Sequence, residues 1–115
     1  MTVTIYHNPR CSKSRQTLAL LEEKGVPHKI VDYLKDPPSE TELRRILKKL
    51  GLKARDIVRK GEAAYADLGL KDRDATDDEL LALMVKNPIL IERPIVVSGD
   101  KAAIGRPPEA VLKIL

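Results

Sequence analysis

Two hydrophobic periods alternate along this chain. Val3-Thr-Ile-Tyr6 is a short apolar run that predicts a strand. From Ser12 the spacing turns helical, with Arg15, Leu18 and Leu21 on one line and Thr17, Leu20 and Lys24 beside it. Gly25 is placed to stop this helix over 12–24, and Pro27 to keep it from resuming. Residues 28–33, His-Lys-Ile-Val-Asp-Tyr, have strand propensity. Strand, helix and strand within about 30 residues predict a βαβ unit with a right-handed crossover.

Pro37-Pro38 opens a stretch of different character. Ser39-Glu-Thr-Glu42 fits a capping box, Leu43, Ile46, Leu47 and Leu50 follow at helical spacing, and Gly51 is the stop. Lys53 to Arg59 predicts a second short helix, and 60–75 is a polar stretch holding Gly61 and Gly69. Thr76-Asp-Asp-Glu79 fits another capping box, ahead of Leu80, Leu83 and Met84, with Asn87-Pro88 as the end. Residues 39–87 thus read as a helical insertion. Beyond Pro94, Ile95-Val-Val97 predicts a strand, Ser98 to Lys101 a turn, Ala102 to Ile104 a partner strand, and Glu109 to Leu115 a last helix behind Pro107-Pro108. The expectation is one α/β domain over 1–115, a mixed sheet in the order β-α-β … β-β-α with a helical insert at about 39–87. That order matches a thioredoxin/glutaredoxin-like architecture, in which the first helix presents a thiol.

Composition narrows the chemistry. A chain of 115 residues can bury enough surface to fold without a metal or disulfide staple. One cysteine excludes a disulfide framework, and with only two histidines beside it no structural zinc or other metal site is expected. Residues 1–6 lack the basic and apolar regions of a signal peptide, and no apolar stretch approaches the roughly 20 residues of a membrane span. A reducing cytoplasmic setting with no membrane partner is expected, and a free thiol suits it. The net charge of +4 could suggest nucleic acid, but the charges are mixed in sign and the only aromatics are Tyr6, Tyr33 and Tyr65. Without a stacking platform, a small anionic ligand fits at least as well, and no nucleic-acid partner is expected.

Cys11 is the chemical centre of the sequence. It falls on the strand-to-helix turn His7-Asn8-Pro9-Arg10-Cys11-Ser12-Lys13-Ser14-Arg15, at a helix start and among cations. These conditions favour the thiolate, and the unpaired N–H groups of a helix start suit an oxyanion. A tyrosine-phosphatase loop would need arginine six positions after the cysteine, where Thr17 stands. A Cys-x-x-Cys pair is excluded by Ser14, whose hydroxyl could instead donate to the thiolate or simply cap the helix. His7 could stabilise the thiolate when protonated, take its proton when neutral, or bond only to the turn backbone. A lone cysteine needs another molecule to resolve any adduct that it forms.

This nonapeptide, together with Arg59, Glu92-Arg93-Pro94-Ile95-Val96-Val97 and Gly105-Arg106-Pro107, resembles the glutaredoxin-coupled arsenate reductases of the ArsC family, over nearly the whole chain. The resemblance implies a glutaredoxin-like fold with a helical insert. It implies an enzyme that reduces arsenate to arsenite with glutathione as reducing co-substrate and glutaredoxin as partner, and no bound cofactor. It implies Cys11 as nucleophile, His7 and Ser14 as its activating groups, and Arg59, Arg93 and Arg106 as the oxyanion-binding arginines. It also implies a cis peptide before Pro94, facing the thiol. Ser12-Lys13 departs from the Gly-Thr that plasmid-borne members commonly carry. Two other readings are a general glutathione-dependent thiol oxidoreductase and a non-enzymatic regulator similar to Spx; the arginine set argues against the first, and Ser14 removes the cysteine pair that the second uses.

Overall fold

The computed structural model describes residues 3–115 and divides into two compact units: one made of residues up to Asp36 and Arg93–Leu115, the other of Pro37–Glu92. The first unit carries a four-stranded mixed sheet in the order β2-β1-β3-β4, with β1 Val3–His7, β2 His28–Asp32, β3 Ile95–Ser98 and β4 Lys101–Ile104. β1 runs parallel to β2, from Val3 opposite His28 to His7 opposite Asp32. It runs antiparallel to β3, with Ile5 opposite Val96. β3 and β4 form a hairpin, with Ile95 opposite Ile104. This is the mixed α/β class and thioredoxin-like order that the sequence predicts.

Alternation explains why β1 lies inside. Val3, Ile5 and His7 are buried on one face, while Thr4 and Tyr6 on the other are partly open. Helix α1 (Ser12–Glu23) lays Leu21 on the first face, where Val3, Ile5, Leu21, Val96 and Val111 form one apolar cluster. Complete burial of a side chain such as Leu21 contributes about 1.5–3 kcal/mol. The helix ends as its sequence requires. Gly25 takes φ +66, its N–H donates to the Glu22 carbonyl and that of Val26 to Leu21, which closes a Schellman motif; Val26 then packs against the cluster.

The terminal segment is helical, as expected. It takes the 3-10 form, over Pro108–Ile114, with the proline at its start. Side chains three apart eclipse in a 3-10 helix. Pro108 and Val111 are buried and Ile114 packs on the cluster, so this three-residue spacing places all three inward.

The second unit is helical: α2 Glu40–Leu50, α3 Ala54–Ile57, α4 Ala63–Asp67 and α5 Asp77–Lys86. Both expected capping boxes form, with Ser39 accepting from the Glu42 N–H and Thr76 from that of Glu79. α5 packs on α2 and α3 through the buried Leu80, Leu81 and Met84. α4 and the 3-10 turn Leu70–Asp72 arise in the stretch that reads as polar. α4 buries no residue, so no apolar stripe advertises it. Val58 bridges to Ile91, the Arg59 N–H donates to Leu90, and the Glu92 N–H donates to Ile57, which ties the end of α3 to the end of the unit. Among the described residues, no helix is long and apolar enough to cross a membrane.

Gly105 marks a close approach in the first unit. A Cβ there would lie 2.5 Å from Thr17 Oγ1 and 2.7 Å from Pro94 Cγ. The Gly105 N–H also donates to the Pro94 carbonyl at 2.9 Å, so the backbone has no room to withdraw. Gly105→Ala is therefore expected to destabilise the protein by about 1–3 kcal/mol, the usual range for overpacking. Urea unfolding checks this, and a midpoint equal to wild type would contradict the close approach.

Candidate active site

The candidate site grows out of the end of β1. His7 is the last buried residue of that strand, and residues 8–10 turn the chain into α1. Three bonds fix the turn around Asn8, which is itself only 3 % exposed. Its carbonyl accepts the Cys11 N–H at 3.0 Å, and its Oδ1 accepts the Arg10 N–H at 3.0 Å. Its own N–H donates to Ser14 Oγ at 3.0 Å. The Arg15 guanidinium closes the outside of the loop by donating to the Pro9 carbonyl at 2.9 Å. Arg15 is thus a brace for the thiol loop, a role that its position in a run of cations does not reveal.

Cys11 occupies the N-cap of α1 with extended backbone, and its side chain caps no amide. It is nearly buried, at 7 % exposed. The next three residues open the helix, where an α-helix leaves its first amides without intrahelical partners. Arg106 Nη2 donates to Cys11 Sγ at 3.7 Å, and Arg106 Nε donates to the Arg93 carbonyl at 2.9 Å. Arg93 and Arg106 each precede a proline through a cis peptide, Arg93-Pro94 and Arg106-Pro107. Arg93 Nε and Nη1 are shielded from solvent. A thiol, a guanidinium set on it and a second arginine tied to the first are therefore gathered from both ends of the chain.

Ser14 is fully buried and makes two bonds, one to the Asn8 N–H and one of 2.6 Å to His7 Nδ1. Burial lowers the His7 pKa below its ordinary 6.5; Asp32 acts the other way, and Arg15 lowers it further. The lowered pKa favours the neutral imidazole at pH 7. A hydroxyl has one hydrogen and two lone pairs. Asn8 occupies one lone pair of Ser14. When His7 Nδ1 is bare, it takes the Ser14 hydrogen; when Nδ1 carries the proton, His7 donates to the second lone pair and the Ser14 hydrogen is released. The proton on His7 Nδ1 thus decides whether Ser14 donates to the histidine or accepts from it.

The sequence-predicted residues Cys11, His7, Ser14, Arg93 and Arg106 all belong to the first unit. Arg59 belongs to the second, where its guanidinium pairs with Glu62 and reaches Glu92 at 3.8 Å.

The model of the ArsC family matches residues 6–114 of the chain. The arsenate reductase of Haemophilus influenzae is 52 % identical over 116 residues, covering 100 % of both chains. That of Rhizobium meliloti is 47 % identical over 115 residues, covering 100 % of this chain and 82 % of its own. Among solved structures, the arsenate reductase from Vibrio cholerae is 52 % identical with a TM-score of 0.95, covering 100 % of this chain and 98 % of that one.

Two measurements test the buried pair. Ser14→Ala leaves the buried Asn8 N–H without its acceptor, so a loss of about 1–3 kcal/mol in stability is expected; an unchanged unfolding midpoint would show that the loop does not depend on this hydroxyl. For His7 the sign follows from the depressed native pKa. The unfolded chain binds more protons, so stability rises with pH across the titration. The His7 contribution is complete above 6.5 and is lost as pH falls from there through the lower native value. An NMR titration of the His7 ring should give a midpoint below 6.5, and a midpoint above it would reverse the electrostatic picture.

Proposed function

The chain belongs to the ArsC family, and from that premise we propose that it is an arsenate reductase whose reductant is glutathione, with glutaredoxin restoring the enzyme. The observation that carries the reading is the Arg106 guanidinium, set 3.7 Å from Cys11 Sγ and anchored on the Arg93 carbonyl. Planar guanidinium groups pair two N–H donors with two oxygens of a tetrahedral oxyanion, and here one stands beside the only nucleophilic sulfur of the chain. The start of α1 adds amide donors and a favourable dipole for the same charge.

In this mechanism arsenate binds against Arg93, Arg106 and the first turn of α1. The Cys11 thiolate attacks arsenic(V), an S–As bond forms, an As–O bond breaks, and the displaced oxygen leaves as water after taking up protons. His7 and Ser14 hold the proton inventory of the sulfur: neutral His7 can receive the thiol proton through the Ser14 hydroxyl, which passes on its own hydrogen as it accepts another. Glutathione thiolate then attacks Cys11 Sγ. An S–S bond forms, the As–S bond breaks, and its electron pair stays on arsenic, which leaves as arsenite, As(III). Cys11 is left as a mixed disulfide with glutathione. A glutaredoxin thiol attacks the glutathione sulfur, releases the Cys11 thiolate and carries the glutathionyl group away. Two thiols have given two electrons, and arsenic has received them.

The absence of a second cysteine motivates the external thiol, since no residue of the chain can form the disulfide that a two-electron reduction needs. Phosphate shares the charge and shape of arsenate but is not reduced by thiols, so selectivity lies in the redox step as well as in binding. Arg59 is the third arginine of the family resemblance, and the arsenate KM of Arg59→Ala tests its part.

The deciding assay is arsenite formation from arsenate with glutathione, glutaredoxin and a glutathione-recycling system. Wild type should turn over, Cys11→Ser should not, and Arg106→Ala should lose about 100-fold in kcat, the scale of one oxyanion donor. Turnover without added thiol would contradict the scheme. No arsenite from wild type, together with efficient reduction of a glutathionylated peptide, would replace it by a general thiol oxidoreductase.

A further inference from the structure

A cavity of about 400 Å3 lies beside the thiol loop within the first unit, lined by Pro9, Arg10, Asp32, Leu34 and Lys35. Its volume is in the range of small-molecule sites, about 300–1,000 Å3. Its charges are two cations and one carboxylate. Among the described residues, neither Arg10 nor Lys35 forms an ion pair with a carboxylate. Both ends of the cavity wall are held: the Arg10 N–H bonds Asn8 Oδ1 at 3.0 Å, and Asp32 Oδ1 accepts the Leu34 N–H at 3.3 Å. The Lys35 N–H donates to the Asp32 carbonyl at 3.1 Å, which keeps the lysine beside the carboxylate in a tight turn. Pro9 and Leu34 supply apolar surface. Arg10 is bonded to Cys11, so a ligand in this cavity is a neighbour of the nucleophile.

We propose that this cavity is the docking site of the reductant, a peptide thiol with two carboxylates and one ammonium. Glutathione has that set of charges, the inverse of Arg10, Lys35 and Asp32. The assignment rests on the arsenate reductase reading and deepens it by naming where the second thiol waits. The carboxylates face Arg10 and Lys35, the ammonium faces Asp32, and the central cysteine is left to reach Cys11 Sγ. Arsenate lies on the side of Arg93 and Arg106, so substrate and reductant use different cations.

The test uses the whole chain and S-methylglutathione, which keeps all three charges and cannot react. Titrated into wild type, it should shift the backbone amides of residues 10 and 32–35. Lys35→Glu should weaken it at least tenfold. Lys29→Glu makes the same change of net charge on an exposed residue of β2 outside the cavity and should bind like wild type. In turnover, Lys35→Glu should raise the KM for glutathione at least tenfold and leave that for arsenate unchanged. With 2-mercaptoethanol, which carries no charge for the cavity to read, the two proteins should react at equal rates. Amide shifts confined to other residues, or equal losses for Lys35→Glu and Lys29→Glu, would overturn the site. Failure of wild type to make arsenite would sink the arsenate reductase reading, while the S-methylglutathione titration would still decide for or against the cavity.

Discussion

One hydroxyl holds the thiol loop together. Ser14 Oγ accepts the N–H of Asn8 and bonds His7 Nδ1, so it joins the last residue of the central strand, the turn after it and the first turn of α1. All three groups are buried, and a buried N–H without an acceptor is costly. The constraint reaches outward from there. His7 is buried because it shares the inner face of β1 with Val3 and Ile5, and that face is set by the strand register. A shift of one residue would turn His7 to the other face and bring Tyr6 to the position beside Ser14. The apolar cluster under β1 and the polar centre at its end are consequences of one alternation.

The second half of the site comes from far along the chain. Arg93 and Arg106 flank the β3–β4 hairpin at its open end, where Ile95 lies opposite Ile104. A hairpin brings its two ends together by construction, so the arginine carbonyl and the arginine side chain that meet at 2.9 Å are neighbours for the same reason that the strands are. Gly105 lets this end press against α1 at Thr17, one turn and a half beyond Cys11. The same contact that makes Gly105 intolerant of a Cβ thus brings Arg106 to the sulfur. Packing and chemistry share these residues, so the close approach at Gly105 and the placing of Arg106 beside the thiol are parts of one contact.

Much of this is legible in the residues. The alternation of 3–6, the capping residues Ser39 and Thr76, and the stops at Gly25 and Gly51 each have a local physical cause, and each element forms where that cause places it. The family is legible because its motif residues are chemically distinctive. What local pattern does not contain is long-range approach. Nothing in Gly105 announces Thr17, and nothing in Arg15 announces the Pro9 carbonyl, because both contacts depend on how β4 and the loop lie against α1. The 3-10 form of the terminal segment is hidden for a different reason: Pro108, Val111 and Ile114 fit a spacing of three, but Glu109 to Leu115 reads equally well at a helical spacing, and only contact with the cluster selects. The residues alone leave His7 open among three roles; its burial at the end of the β1 alternation lowers its pKa and favours the neutral imidazole.

A neutral His7 changes how the nucleophile is understood. A cationic histidine would stabilise a thiolate by charge alone, and its distance from the sulfur would be the whole of its effect. Here the positive charge set on sulfur is the Arg106 guanidinium. The roles are therefore divided. In the proposed reading Arg106 supplies a positive charge beside the sulfur, and His7 supplies a place for a proton through the Ser14 hydroxyl bonded to its Nδ1. On the proposed mechanism this division matters at two moments, when the thiol gives up its proton to attack arsenic and when the Cys11 sulfur returns as a leaving group from the mixed disulfide. A fixed cation helps both in the same direction. A proton store must open for the first and stay available for the next cycle, and a buried imidazole with a pKa held down by its surroundings can do so without carrying a charge between turnovers.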